Sequence, residues 1–393
     1  MSKKVILAGA CRTAIGSMGG ALSKIPAPEL GAIVIREALN RAGVAPELVD
    51  QVYMGCVLQA GLGQNVARQA AIKAGLPVKT PAVTINVVCG SGLHSVNMAA
   101  QMIMAGEANI VVAGGMENMS MAPYALPQAR FGYRMNHSQL IDIMIKDALW
   151  DAFYDYHMGI IAENIAEQWK LSREELDIYA INSQKKAALA QKNGHFKKEI
   201  VPVEVKLKKE TFFFSEDEGL RPNSTLEEIS KLRPAFKQDG IVTAANSSTI
   251  NDGAAAIVVM SEETARKLQV KPMAIWEAGA LEGVEPSLMG IGPVASTRKV
   301  LDKTGLSITD IDIIEANEAF ASQSLAVMKE LGIEEKQINP NGGAIALGHP
   351  VGASGCRILV TLLHEMESTD AKLGLATLCI GGGMGCSTIV RRE

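Results

Sequence analysis

The stretch VVCGSGLHS, residues 87–95, places a cysteine where an apolar run meets two closely spaced glycines. Residues 83–88 have the apolar, β-branched composition of a buried strand, and helical periodicity begins at Leu93. Cys89 therefore lies between a strand and a helix, where unpaired N–H groups and the helix dipole are expected to lower a thiol pKa. These residues alone leave two interpretations open, an activated nucleophile or an inert buried cysteine.

Strand and helix patterns alternate on both sides of this stretch. Before residue 115 the predicted elements are strands 5–9, 51–54, 83–88 and 110–113 and helices 29–42, 66–74 and 91–105. After residue 272 they are strands 273–278, 312–316, 373–379 and 387–391 and helices 294–303, 318–331 and 353–366. Such alternation predicts an α/β protein with crossover connections and a largely parallel sheet covered by helices.

The two ends of the chain also resemble each other. Three pairs of segments match: 42–55 (AGVAPELVDQVYMG) with 304–317 (TGLSITDIDIIEAN), 85–90 (INVVCG) with 338–343 (INPNGG), and 111–116 (VVAGGM) with 379–384 (CIGGGM). The pattern predicts an internal duplication, with two related halves packed about a pseudo-twofold axis. The alternative is that any two βαβ units share such features.

The middle of the chain has a different composition. Residues 118–249 are richer in aromatic, Met, Lys and Glu residues, with a helical pattern over 172–191, and NDGAAAIVVMS (251–261) returns to a buried-strand pattern. We therefore expect a loop domain inserted into the first half. The predicted boundaries are 1–117 plus 250–271 for the N-terminal half, 118–249 for the inserted loop domain and 272–393 for the C-terminal half.

Composition excludes several classes of partner. The chain has 393 residues, 48% of them hydrophobic, and a formal net charge of -4, so no general attraction to nucleic acid or to anionic membranes is expected. No apolar run approaches the roughly 20 residues that span a bilayer. The apolar run at 5–9 is too short for a signal peptide and is better explained as a strand. The basic stretch KLKK (206–209) is interpreted as a solvated strand face and not as a phosphate site.

Six cysteines are scattered along the chain without a CxxC pair. In a chain of this size the pattern favours reduced thiols in the cytoplasm over a disulfide framework. Metal binding is the main competing use of Cys and His, but no pair has the spacing of metal ligands, so no metal is expected.

Three other segments could carry chemistry. His349 lies in the glycine-rich stretch NGGAIALGHPVGASG (341–355), where it could be the base for a thiol or a structural histidine. The stretch has no Lys and the chain has no GxxxxGK[ST], which argues against a nucleotide phosphate site. Cys379 in LCIGGGMG (378–385) ends an apolar strand before backbone N–H groups that could form an oxyanion hole.

Asn317 in EANEAF (315–320) ends another strand, where it could cap the next helix or hold a water or substrate oxygen. Cys89, His349, Cys379 and Asn317 thus all fall at the carboxyl ends of predicted strands or in the adjoining loops. Because open α/β sheets build their sites at that edge, we expect the four side chains to meet.

The sequence resembles the thiolase family from RTAIGS (12–17) to its last residues. The family's signature blocks are similar to NVVCGSGL (86–93), GGMENMS (114–120), NEAF (317–320), NGGAIALGHPVGASG (341–355) and LCIGGGMG (378–385). The segment HMG (157–159) is similar to the acetyl-CoA acetyltransferase branch, because long-chain members usually lack that histidine. The resemblance implies the thiolase fold, with duplicated βαβαβαββ halves in five αβαβα layers and the inserted loop domain over the coenzyme A site.

The resemblance also implies ping-pong chemistry. Cys89, activated by His349, would take an acetyl group from acetyl-CoA, and Cys379 would remove a proton from the methyl group of a second acetyl-CoA. Condensation would give acetoacetyl-CoA and CoA, and thiolysis would be the reverse. His349 and a water held by Asn317 would bind the enolate oxygen, while the N–H groups of Cys89 and Gly381 would bind the tetrahedral oxyanion.

For substrate binding, the family pattern implies a set of six residues. They are His157, Met158, Arg221, Ala244, Ser248 and Phe320, with Arg221 near the adenine and Ser248 against the pantetheine. No separate cofactor is implied, because the coenzyme A thioesters are themselves the substrates. The expected assembly is a homotetramer, a dimer of dimers, with part of 118–145 as the contact.

Three alternatives remain open. A decarboxylating ketoacyl synthase would share the fold and the nucleophile, but such enzymes lack a counterpart of Cys379. A non-catalytic thiolase-like protein could bind acyl-CoA without turning it over. Because Cys89 and Cys379 must approach one substrate, oxidation could also bridge them and silence the enzyme.

Overall fold

The computed structural model describes residues 4–206 and 210–393, so most of the KLKK prediction lies outside the described residues. The helices are α1 Ala27–Ala42, α2 Val66–Lys73, α3 Ser91–Ala105, α4 Met158–Gln168, α5 Arg173–Asn193, α6 Leu226–Ile229, α7 Glu262–Lys267, α8 Gly292–Thr304, α9 Ala321–Leu331, α10 Ala344–Leu347 and α11 Val351–Thr369. The strands are β1 Val5–Thr13, β2 Gly16–Ser17, β3 Gln51–Gly55, β4 Ala82–Ile85, β5 Ile110–Asn118, β6 Tyr124–Ala125, β7 Ile141–Asp142, β8 Ile200–Val201, β9 Val203–Lys206, β10 Thr211–Phe214, β11 Asn251–Ser261, β12 Ala274–Gly283, β13 Ile313–Ala316, β14 Leu373–Ile380 and β15 Met384–Arg391.

One hydrogen-bonded sheet runs through both halves in the order β13-β14-β15-β12-β1-β11-β5-β3-β4. The pairs at its two ends are parallel, but the central pairs from β14–β15 to β11–β5 are antiparallel. The expectation of a largely parallel sheet is therefore wrong. A short turn joins β14 directly to β15, and such a turn can connect only antiparallel neighbours.

The internal duplication is confirmed by the order of the strands. Counting outward from the centre, the strands β1-β11-β5-β3 of the first half correspond to β12-β15-β14-β13 of the second. The counterpart of β4 is Ile338, which forms a single bridge with Ile314 in β13. The matched segments also fold alike, since Gly43 and Gly305 both end a helix in the left-handed conformation, shortly before β3 and β13 respectively. Each half thus repeats the same unit.

The helices complete the five layers. Helices α1 and α2 cover the outer side of the N-terminal half, α8 covers the outer side of the C-terminal half, and α3 and α11 pack against each other between them. The central pair is very close, because a Cβ on Gly92 of α3 would lie 2.8 Å from the backbone nitrogen of Cys356 in α11. Gly92 is needed for this helix contact.

The segment between β5 and β11 contributes α4, α5, α6 and several short strands. Of its strands, β8 pairs with β1 of the main sheet, and α4 and α5 pack against α9. This agrees with an insertion, although the domain boundaries given above stay predictions. Within the described residues, no helix is both long and apolar enough to cross a membrane.

Candidate active site

Cys89 lies in a tight turn between β4 and α3. Strand β4 ends at Ile85, earlier than predicted, because the following residues form a turn in which Gly90 N–H bonds the carbonyl of Val87 at 3.0 Å. Helix α3 then begins at Ser91, where the sequence predicted it. The cysteine is 8% exposed and packs in the core shared by the two halves.

The Cys89 sulfur accepts hydrogen bonds from the backbone N–H groups of Gly381 and of Cys89 itself. Burial nevertheless raises the pKa of the Cys89 thiol to about 11, and the two N–H groups only partly oppose this effect. The expectation that the helix terminus lowers this pKa is therefore wrong. Desolvation outweighs the dipole because the thiol is almost completely enclosed.

Cys379 lies on β14, two residues before Gly381, and is fully buried. Burial and the neighbouring Cys89 raise its pKa well above that of an ordinary thiol. Both thiols are neutral near pH 7, and a thiolate formed at Cys379 is a strong base.

Asn317 connects the Cys379 strand to His349. Its backbone N–H bonds the carbonyl of Thr377 at 3.0 Å, two residues before Cys379. Its side-chain nitrogen lies 3.4 Å from Nδ1 and 3.5 Å from Nε2 of His349. The amide nitrogen of Asn317 thus lies almost equidistant from the two ring nitrogens of His349.

His349 sits in the loop between α10 and α11 and is held on two sides. Its Nδ1 is 2.6 Å from Oγ of Ser354, and its backbone N–H bonds Oδ1 of Asn251 at 2.9 Å. Burial, with the positive charge of Arg357, lowers the pKa of His349 to about 3, so the imidazole is neutral at physiological pH. Among the described residues no hydrogen bond joins His349 to Cys89; such contacts often tighten only when substrate binds.

The N-termini of α3 and α11 meet at the end of β3. A Cβ on Gly55 would lie 2.7 Å from both Ser91 of α3 and the carbonyl of Gly352 in α11. Cys89 and His349, which precede these two helices, are therefore brought to one place. The structure thus brings Asn317 to His349 and Cys89 to Cys379, and the junction of α3 and α11 lies between the two pairs.

Glu117 stabilises the junction of β3, α3 and α11 through hydrogen bonds, and it was not identified as a site residue from the sequence. Its carboxyl group accepts the N–H groups of Val57, Leu58 and Gly352 at 3.0, 3.1 and 2.8 Å. Burial raises its pKa to about 7 against the lowering effect of these three donors. The only sequence signal was its position within GGMENMS, and Ser354 carried a similarly weak signal within the glycine-rich stretch.

An apolar wall stands beside the two cysteines. The sulfur of Met158 would lie 3.7 Å from a Cβ on Gly381. The His157 ring stacks on Phe236 with 4.8 Å between centroids, and Phe236 meets Phe320 edge-on at 6.1 Å. Three residues expected to bind substrate, His157, Met158 and Phe320, thus form one surface, to which the structure adds Phe236.

The remaining expected binding residues are Arg221, Ala244 and Ser248, and the N–H of Ser248 bonds the carbonyl of Ala319, the residue before Phe320, at 3.0 Å. Arg221 and Ala244 line one small pocket together with Gln184 and Thr249. The backbone of Arg221 is held by Oε1 of Gln184 at 2.8 Å, which leaves its exposed guanidinium available to an anion. In the described part of the chain all six cysteines are free, and no group of three or more His, Cys, Asp or Glu could hold a metal ion.

Comparison with known proteins gives consistent matches over the whole chain. The family model for the thiolase N-terminal domain matches residues 5–263, and that for the thiolase C-terminal domain matches 270–392. Proteins named acetyl-CoA acetyltransferase from Chromobacterium violaceum and Pseudomonas aeruginosa are 58% and 57% identical over 390 residues, 99% of this chain and 100% and 99% of theirs.

Solved structures give the same result for the fold. The acetyl-CoA acetyltransferase of Bacillus anthracis superposes with a TM-score of 0.97 at 42% identity, covering 99% of both chains. Human mitochondrial 3-ketoacyl-CoA thiolase superposes with the same TM-score and identity, covering 100% of this chain and 99% of its own.

Proposed function

The chain belongs to the thiolase family, and we propose that it is an acetyl-CoA acetyltransferase that condenses two acetyl-CoA into acetoacetyl-CoA and CoA and catalyses the reverse thiolysis. One observation carries the proposal. Two buried thiols, Cys89 and Cys379, share a site with a neutral histidine and an asparagine, and a backbone N–H of Gly381 is directed at the first thiol. A decarboxylating ketoacyl synthase would need only one of the two thiols.

The first half-reaction acylates Cys89. Nε2 of His349 takes the proton of the Cys89 thiol, and the sulfur attacks the thioester carbonyl of acetyl-CoA. The N–H groups of Cys89 and Gly381 stabilise the tetrahedral oxyanion. The C–S bond to CoA breaks, the departing thiolate takes the proton of Cys379, and acetyl-Cys89 remains with a protonated His349 and a Cys379 thiolate.

The second half-reaction forms the carbon–carbon bond. The Cys379 thiolate removes a proton from the methyl group of a second acetyl-CoA, and its raised pKa suits it to this weakly acidic proton. The enolate oxygen is stabilised by protonated His349 and by a water held by Asn317. The carbanion attacks acetyl-Cys89, and the expelled Cys89 thiolate recovers its proton from His349.

We assign coenzyme A binding to two groups of residues. Arg221, Ala244 and Ser248 hold the adenine end and pantetheine, while His157, Met158 and Phe320 form the wall along which the acyl end reaches Cys89. No separate cofactor is needed, since the thioester itself activates both the carbonyl and the methyl group.

We further propose a homotetramer in the cytoplasm. The segment between β5 and α4 exposes large apolar side chains, and Phe131 and Met135 are each 86% exposed. Contiguous exposed apolar side chains mark contact sites between proteins, and this segment is the expected tetramer contact. Sedimentation equilibrium of the purified protein is expected to give a species of four chains; a monomer would contradict this assembly.

The activity is tested by steady-state kinetics with acetoacetyl-CoA plus CoA and, in parallel, with a longer 3-ketoacyl-CoA. We expect thiolysis of acetoacetyl-CoA with a kcat/KM well above that for the longer substrate. The opposite preference would place the enzyme with the long-chain thiolases. Calorimetric binding of CoA without any acetyl transfer would identify a non-catalytic acyl-CoA binder, and condensation that requires malonyl-CoA would identify a ketoacyl synthase.

A further inference from the structure

Val88, the residue immediately before the nucleophile, has an unusual backbone. Its φ is 45°, in the left-handed region that glycine and asparagine enter readily and β-branched residues avoid. Because this conformation is unfavourable for valine, it persists only where contacts with surrounding groups hold the backbone in place. Something must therefore hold the turn at Val88.

Two polar side chains on either side of Cys89 provide the restraint. Oδ1 of Asn86 accepts the N–H of Val88 at 3.0 Å. Oγ of Ser91 accepts the N–H of Val87 at 2.9 Å and donates its own proton to the carbonyl of Val88 at 2.7 Å. We name these three hydrogen bonds the Asn86–Ser91 clasp, which fixes the peptide groups on both sides of Val88.

The conformation at Val88 bears directly on the reacting atoms. Cys89 follows in the chain, so rotation of Val88 to a negative φ reorients the peptide group that carries the N–H of Cys89. The side chain of Val88 also touches the other oxyanion donor, since its Cγ1 lies 3.4 Å from where a Cβ on Gly381 would be. Relaxation of Val88 therefore displaces the Cys89 sulfur and both N–H groups of the proposed oxyanion hole.

We propose that Ser91, with Asn86, is a positioning residue that holds Val88 in the left-handed conformation and thereby aims Cys89 and the oxyanion donors. The proposal rests on the proposed function, in which Cys89 is the acylated nucleophile. It assigns a role to residues that do not touch substrate. Their effect passes entirely through the backbone of Val88.

The experiment is a rescue test with three variants of the full chain and one control variant. Ser91→Ala removes two arms of the clasp, so Val88 relaxes and the rate of acetyl-enzyme formation from acetyl-CoA falls roughly 10- to 100-fold. KM changes little because the binding wall is untouched. Val88→Asn introduces a residue that tolerates the left-handed region, so the double variant Ser91→Ala/Val88→Asn recovers most of the lost rate. Val88→Asn alone shows the cost of changing the side chain.

Ser95→Ala is the matched control. Ser95 lies one turn along the same helix, and its hydroxyl lies 2.8 Å from the carbonyl oxygens of Gly92 and Gly114, either of which can accept its proton, so its loss perturbs α3 without touching Val88. We expect a lower melting temperature with a near-normal acylation rate. If Ser91→Ala does not fold, the same rescue is measured on Asn86→Ala, which removes only the third arm.

The rate at which iodoacetamide alkylates Cys89 gives a second readout that does not need thiolase activity. A wild-type protein without acetyl transfer would contradict the proposed function, whereas the alkylation rates would still test the clasp. Two results would overturn the inference. One is an acylation rate of Ser91→Ala equal to that of the wild type. The other is a double variant Ser91→Ala/Val88→Asn that acylates as slowly relative to Val88→Asn as Ser91→Ala does relative to the wild type.

Discussion

The Nδ1 atom of His349 lies 2.6 Å from Oγ of Ser354, whose hydroxyl in turn lies 2.9 Å from the carbonyl oxygen of Pro350. A carbonyl can only accept, and when the single proton of Ser354 is given to Pro350, Nδ1 donates to Ser354. The neutral imidazole then carries its proton on Nδ1 and has a lone pair on Nε2. That is the tautomer required to take a proton from Cys89.

Removal of the Ser354 hydroxyl should therefore affect chemistry more than binding. In Ser354→Ala the imidazole loses its partner and its tautomer is no longer fixed, so kcat should fall about 10-fold while KM stays within about 2-fold. The nitrogen chemical shifts of His349 in a ¹⁵N spectrum report the tautomer directly. Ser368→Ala, on the same helix and remote from His349, is the control, and unchanged nitrogen shifts in Ser354→Ala would refute the assignment.

Substitution of the two cysteines should block different steps of the reaction. Cys89→Ala is expected to form no acetyl-enzyme and to show no turnover, because the nucleophile is absent. Cys379→Ala should still acquire one acetyl group at Cys89 and then stall, because no base remains to deprotonate the second acetyl-CoA. Intact mass spectrometry after incubation with acetyl-CoA distinguishes the two variants. Full turnover by Cys379→Ala would contradict the role of Cys379 as the base.

The parts of this molecule that follow from local sequence were predictable. Helix α3 begins and ends where its periodicity indicates, and β11 coincides with its apolar run 251–261. The four residues of the site were expected at one edge because each falls at the carboxyl end of a predicted strand or in an adjoining loop. The rule holds here since Asn317 and Cys379 follow or end the adjacent parallel strands β13 and β14.

Other features depend on contacts that no local pattern encodes. The thiol pKa of Cys89 was expected to fall with the helix dipole, but the direction is set by how completely both halves enclose the sulfur. The left-handed backbone of Val88 has no sequence signal because valine disfavours it. The pairing of β1 with β12, which joins the two halves into one sheet, likewise has no local sequence signal.

His349 and Glu117 should have opposite effects on the stability of the protein as the pH falls. The pKa of His349 is lowered to about 3 from 6.5, so its contribution to stability is complete above pH 6.5 and is lost as the pH falls. The pKa of Glu117 is raised to about 7 from 4.5, so its burial becomes less unfavourable as the pH falls from about 7 to 4.5, a range that overlaps the His349 titration. Each group changes the free energy of unfolding by up to about 1.4 kcal/mol per pH unit, with opposite signs.

Single substitutions should reveal how each of the two groups changes the free energy of unfolding with pH. Relative to the wild type, His349→Asn should gain stability between pH 6.5 and 5, by about 2 kcal/mol, whereas Glu117→Gln should lose stability as the pH falls over that range. Urea unfolding at a series of pH values measures both. Parallel pH dependences for the wild type and His349→Asn would show that the imidazole is not held neutral by the fold.

The wall beside the cysteines leads to a last prediction, at Gly159. This residue is the second of α4, and a Cβ there would overlap the ring of Phe236, which stacks on His157 and meets Phe320 edge-on. Alanine normally favours a helix over glycine by about 1 kcal/mol, but overpacking costs about 1 to 3 kcal/mol. Gly159→Ala should therefore lower the melting temperature and, by displacing His157 and Phe236, raise KM for acetyl-CoA several-fold. Phe236→Leu in the same chain restores room for the methyl group, so the double variant should recover part of the stability, and a Gly159→Ala variant that melts above the wild type would mean that the ring yields freely.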